Sequence, residues 1–205
     1  MVAAGEPVST DETADLVLGL TMSRAPTLGS GRMVCVDGPA GSGKTTLAGA
    51  IEAAAARSGC ACSLVHLDDL YPGWSGLTEG MARVRDRLVG PLSRGEPGGY
   101  HRYDWIAETD AEWHEVAATE LLIVEGVGSG AADYHAAITT LVWVEVPADL
   151  RVARGLHRDG EQVRDHWLTW MADEDAMFAR GQTRGRAHVL VDGTGQRPAR
   201  IVAGW

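Results

Sequence analysis

Eight residues constrain this chain more than any other stretch of it. Gly38-Pro39-Ala40-Gly41-Ser42-Gly43-Lys44-Thr45 satisfies the pattern G-x-x-x-x-G-K-[ST] at every specified position. That pattern requires one local geometry. Its glycines let the backbone turn tightly and bring N–H groups up to phosphate oxygens. A helix opening at Lys44 aims its positive end at the same anion. In that frame Lys44 reaches the β and γ phosphates of a nucleoside triphosphate such as ATP, and the Thr45 hydroxyl serves Mg²⁺. Gly38, Ala40, Gly41, Ser42, Gly43 and Thr46 complete the nucleotide contact. The flanks fit the motif: residues 33–36 are an apolar, strand-like run, and residues 45–57 are Ala-rich and helix-forming. Lys44 is also the only lysine in a chain with 17 arginines.

Around this loop the hydrophobic pattern predicts an α/β fold. Five short runs rich in Val, Ile and Leu, at 33–36, 62–65, 121–124, 141–144 and 188–191, read as strands buried on both faces. Helical stretches are predicted at 45–57, 78–88, 110–119, 149–158 and 161–180, and the alternation points to a parallel sheet. A chain of 205 residues predicts one domain, 1–205, with an N-terminal helix and linker over 1–31. Residues 68–120 form a long insertion after the second strand, punctuated by Pro and Gly and carrying Tyr71, Trp74, Tyr100, Tyr103 and Trp105. Insertions at the carboxyl ends of strands are where α/β proteins hold ligands.

The charge balance narrows the partners. A formal charge of −10 argues against broad binding to nucleic acid or to an anionic membrane. No stretch reaches the roughly 18 uninterrupted apolar residues of a spanning helix, and no secretory signal is read at the N-terminus. Cys35, Cys60 and Cys62 are too few for a disulfide scaffold and suit a reducing cytoplasm. Cys60, Cys62 and His66 on one strand cannot converge on a tetrahedral metal. A GTPase needs an Asn-Lys-x-Asp element, which a chain whose one lysine is already used cannot contain. The Ser-Gly-Gly signature of transport ATPases is absent as well.

Phosphoryl transfer needs carboxylates near the γ-phosphate. His66-Leu67-Asp68-Asp69-Leu70-Tyr71 sets two aspartates at the carboxyl end of the second strand, and Ile123-Val124-Glu125-Gly126 ends the third on a glutamate. With Tyr103-Asp104-Trp105, Arg151-Val152-Ala153-Arg154 and Arg158-Asp159, these elements resemble the uridine kinase-like branch of P-loop kinases, relatives of phosphoribulokinase and pantothenate kinase. The matching pieces run in the family's order from about Met33 to Gly193.

The resemblance implies a P-loop fold with five parallel strands in the order 2-3-1-4-5, helices on both faces, and a lid over 149–165. It implies Asp68 as catalytic base, and Thr45, Asp68 and Glu125 around Mg²⁺. Asp104 would hold ribose hydroxyls, with Tyr71, Tyr103 and Trp105 around the acceptor, and Arg154 and Arg158 would neutralise the transferring phosphate. The expected activity is Mg·ATP-dependent phosphorylation of a hydroxyl on a small molecule, foremost a nucleoside. The insertion does not match the base-contacting residues of uridine kinases. A nucleoside monophosphate or other metabolite as acceptor, and a non-catalytic ATP-binding regulator, therefore stay open, as does a homodimer.

Two helical patterns complete the reading. Arg151, Arg154 and Arg158 recur at i, i+3, i+7, which sets them on one helix face. Trp167, Trp170, Met171, Glu174 and Phe178 form a stripe expected in the core, with Glu174 expected to pair with an arginine. By resemblance, the end of the last strand, Asp192-Gly193-Thr194, lies near the adenine.

Overall fold

In the computed structural model, residues 9–202 are described. The first eight residues of the expected N-terminal segment, and the last three of the expected domain, lie outside them. The chain opens with α1 (Thr10–Met22), capped by the Ser9 hydroxyl, which accepts the Asp11 N–H at 3.2 Å. Then follow β1 (Arg32–Asp37), α2 (Lys44–Arg57) and β2 (Cys62–His66). The insertion contributes α3 (Leu77–Arg83), a π-helical turn (Val84–Val89), α4 (Gly90–Ser93), β3 (Gly98–Asp104) and β4 (Thr109–Val116). The remainder is β5 (Leu121–Glu125), β6 (Thr140–Glu145), α5 (Ala148–Asp159), α6 (Arg164–Gly181), α7 (Thr183–Arg186), β7 (Val189–Asp192) and β8 (Arg200–Ile201).

The sheet runs β2-β5-β1-β6-β7-β8. Its five parallel strands stand in space as the second, third, first, fourth and fifth of their kind. The expected count of five needs correction, because a short sixth strand, β8, pairs antiparallel along β7. The two faces follow from strand periodicity. Val34, Val36, Leu121, Ile123, Val142 and Val144 face one way and pack under α1 and α2 with Val17, Leu47 and Ile51. Met33, Cys35, Leu122, Val124, Leu141 and Trp143 face the other way and pack against Leu67, Tyr71, Leu88, Trp170 and Met177. Both faces are covered, which explains the unbroken apolar runs.

The helix expected over 110–119 is instead strand β4. It pairs antiparallel with β3, with His101 opposite Trp113 and Tyr100 opposite His114. The rings of these two pairs meet at 5.2 and 5.5 Å, and Arg102 reaches Glu112 at 2.7 Å. Such cross-strand pairs outweigh the weak helical preference of Ala and Glu in this stretch. The turn between the strands is tied by the Asp104 carboxylate, which accepts the N–H groups of Ile106 and Ala107 at 2.9 Å each. The helix expected over 78–88 begins at Leu77 and runs on through the π turn to Ser93.

Candidate active site

The phosphate loop is the chain between β1 and α2. Gly38 has φ 140°, and a side chain there would place its Cβ 2.1 Å from the Val144 carbonyl oxygen of the neighbouring strand. Gly41 has φ 77°, and its Cβ would lie 2.7 Å from the Arg151 carbonyl oxygen. The loop is therefore pressed against β6 on one side and α5 on the other, and both positions require glycine. α2 starts at Lys44, so the free N–H groups of its first turn face the loop. Lys44 is only 7% exposed, and its ammonium donates to the Pro39 carbonyl at 3.0 Å.

Three carboxylates surround this loop. Glu125 is buried at the end of β5. Sheet register sets it beside both neighbours, opposite Val36 on β1 and His66 on β2. Its Oε1 accepts the Thr45 hydroxyl at 3.1 Å and lies 2.7 Å from His66 Nδ1. That bond raises the pKa of His66. Asp68 lies on the helical turn Leu67–Asp69 just past β2, exposed to the cleft. The protein walls around it push its carboxyl up and the Glu125 charge adds to this, while Lys44 and Arg158 oppose it. Asp37 ends β1 and is fully buried. Its two oxygens accept the N–H groups of Gly38 at 2.7 Å and of Gly128 and Gly130 at 2.8 Å each. Burial lifts its carboxyl to about 6 despite those three donors.

The expected lid arginines separate. Arg154 donates to the carbonyls of Gly41 at 3.4 Å and Gly193 at 3.2 Å, joining the phosphate loop to the turn after β7. Arg158 pairs with Asp159 and lies within electrostatic reach of Asp68 and Glu125. Arg151 lies on the same helix face, one turn back, but is not displayed with them. It is buried and paired with Glu174, which corrects the reading of three arginines displayed together. The helix turns Arg151 inward because α6 supplies a buried carboxylate there. Glu174 thus has the arginine partner expected of it. It also accepts the Ala40 N–H at 2.8 Å, so α6 holds the phosphate loop directly.

One cleft of about 1260 Å³ is lined by the phosphate loop, Asp68, Glu125, Arg154 and Arg158. Its second half is aromatic. Trp74 meets Trp105 edge-on at 5.5 Å and stacks on His166 at 5.5 Å, and Trp170 stands beside it at 6.2 Å. The Trp105 indole N–H donates to the Asp68 carbonyl at 2.8 Å, which ties the hairpin tip to the second-strand turn. Of the expected acceptor residues, Trp105 lines the cleft most openly. Tyr71 borders it but is 1% exposed, its hydroxyl donating to the Val127 carbonyl at 2.6 Å. Tyr103 is buried against Trp105, and Asp104 is engaged by the hairpin turn; neither lines the cleft. The structure thus sets Tyr103 and Asp104 off the cleft, held by ring packing and by the hairpin turn, whereas Tyr71 stays in its lining.

Sequence reasoning passed over Asp37 and the pairing of His66, and named Trp74 only as one of the insertion's aromatics. A charge ending an apolar strand, as Asp37 does, was a visible signal; the partner of His66 depended on a register that only the folded sheet supplies.

No protein-family model matches the chain, and no curated protein matches it. Solved structures do. A possible uridine kinase from Bacillus stearothermophilus superposes with TM-score 0.66 at 19% identity, over 88% of this chain and 98% of that one. A D-glycerate 3-kinase from Cryptococcus neoformans var. grubii gives 0.60 at 16%, over 95% and 97%. A candidate fructose transport system kinase from Silicibacter sp. TM1040 gives 0.53 at 21%, over 94% and 98%. The strand order and the glycine loop are those of a P-loop fold. Within it, the chain has the fold of the uridine kinase-like P-loop kinases. Among the described residues, no helix is long and apolar enough to cross a membrane.

Proposed function

We propose that the chain transfers the γ-phosphoryl group of ATP to a hydroxyl of a small, uncharged acceptor, foremost a nucleoside. One observation carries this reading: the phosphate loop, Asp68, Glu125 and an aromatic wall line a single cleft. Lys44, the loop amides and the start of α2 hold the triphosphate. Asp68 accepts the proton of the acceptor hydroxyl as its oxygen bonds to the γ-phosphorus and the bond to the ADP oxygen breaks. Arg158, and Arg154 beside it, offset the charge on the moving group.

The residues fit Mg²⁺. Thr45, Asp68 and Glu125 offer hard oxygen donors only, and two protein carboxylates are what this ion commonly uses beside phosphate oxygens. When bound, the ion would draw charge from the β and γ phosphates. His66 would orient Glu125 from behind.

A phosphorylated acceptor has less support. Arg83, Arg85 and Arg102 pair with carboxylates outside the cleft, and none of Arg83, Arg85, Arg87 and Arg102 lines it. Two tryptophan faces beside Asp68 suit a flat, neutral group better. A purely regulatory ATP-binding role would leave Asp68 and the aromatic half of the cleft without a task.

The test is ADP release from Mg·ATP across nucleosides, nucleoside monophosphates and hydroxylated metabolites. Release that depends on a nucleoside and vanishes in Lys44→Ala is expected. ATP binding with no release for any acceptor would overturn the reading.

A further inference from the structure

Glu174 lies on α6, far along the chain from the phosphate loop, yet it is 0% exposed and bonded to that loop. Its two oxygens divide the work: Oε1 takes Arg151 on α5, and Oε2 takes the Ala40 N–H. Arg151 in turn presses its own backbone carbonyl on Gly41. A buried carboxylate is costly unless charge and hydrogen bonds answer it, and here both do. A plain core contact would need neither. Helix α6 also carries Trp170 and His166, which stand against Trp74 in the acceptor half of the cleft.

We propose that Glu174 is a positioning residue for the nucleotide. It clamps Ala40 so that the loop amides face the phosphates before ATP arrives, and it fixes the acceptor wall to the phosphate loop as one body. Arg151 holds the Glu174 carboxyl group in place, so that its other oxygen meets the loop. The inference rests on reading the cleft as the ATP site.

Two measurements test it. In the first, Arg151→Met/Glu174→Leu replaces the buried pair by apolar side chains of similar bulk, a change that often keeps or raises stability. The Kd for Mg·ATP, read by calorimetry, should rise about tenfold or more while Tm stays near that of the unaltered protein, since a charge-assisted hydrogen bond to the loop is gone. Unaltered affinity at unaltered Tm would overturn the proposal, because a merely structural pair would leave binding alone. The second needs no variant and decides the matter if the double variant fails to fold. Hydrogen exchange of the Ala40 amide in the nucleotide-free protein should be slowed to the level of helix interiors; exchange at the rate of an open loop overturns the clamp. Failure of the ATP reading looks different: the unaltered protein would bind no Mg·ATP, while Ala40 stayed protected.

Discussion

The two halves of the cleft are built by different means. The phosphate half is made of backbone. Its turns are glycines pressed against neighbouring carbonyls; Asp37 and Glu174 hold its amides from outside the cleft, and Glu125, in the cleft lining, takes the Thr45 hydroxyl. The acceptor half is made of side chains from three separate segments: Trp74 after β2, Trp105 at the hairpin tip and Trp170 on α6. Its outer rim is open, with Trp105 37% and Ile106 97% exposed. On the proposed function, the first half would meet a group common to every nucleotide. The second would meet the acceptor, and its position depends on a hairpin whose tip is tied to the site through Trp105, by its indole bond to Asp68 and its ring contact with Trp74. Phosphate binding should therefore withstand changes at the acceptor wall, while acceptor binding should not.

The largest effect that sharpens this contrast is expected at Lys44. Lys44→Ala should lower kcat/KM by at least about 10³-fold, as loss of a preorganised charge contact to the transferring group does. Steady-state ADP release measures it. Asp68→Asn comes next, with kcat down about 10²- to 10⁴-fold and the KM for ATP within roughly twofold of unaltered. An equal rise in both KM values would assign Asp68 to binding instead. The pKa of Asp68 is raised, so the base loses its charge earlier on acidification than an ordinary carboxylate. Activity is full above the raised value and falls as pH drops through it. The acid limb of the kcat/KM profile should thus lie above the usual carboxylate value of about 4.

Trp105→Ala should raise the acceptor KM about tenfold, through lost ring contact, and leave the KM for ATP unchanged. A comparable rise in the KM for ATP would break the division between the halves. The smallest change is Tyr71→Phe. It removes one buried hydrogen bond to Val127, worth about 1 kcal/mol, and should lower Tm by roughly 2–4 °C with acceptor specificity intact. Altered specificity in that variant would return Tyr71 to the acceptor site.

The same contrast explains what could be read from the chain. The glycine loop is written in contiguous residues, because the backbone of one turn forms it; Gly38 to Thr45 was legible at once. The parallel strands were legible because burial on both faces leaves continuous apolar runs. The acceptor half was legible only in part. Tyr71 and Trp105 were named and line the cleft, but Trp74, Trp105 and Trp170 meet only after three segments pack, and the Asp104 carboxylate is engaged by a turn. Strand β4 was misread because its stabilising partners, Tyr100, His101 and Arg102, lie across a hairpin and not along a helix. His66 beside Glu125 and Glu174 on Ala40 each depend on a register or a crossing that no local pattern records.

The solitary lysine has a practical consequence. Lys44 is the only ε-amine in the sequence, and it sits within the phosphate loop. Reagents that acylate amines therefore have one side-chain target here besides the α-amine, and that target should be shielded whenever a triphosphate lies across it. Intact-mass labelling with and without Mg·ATP would then count working sites directly, with no knowledge of the acceptor and no turnover required.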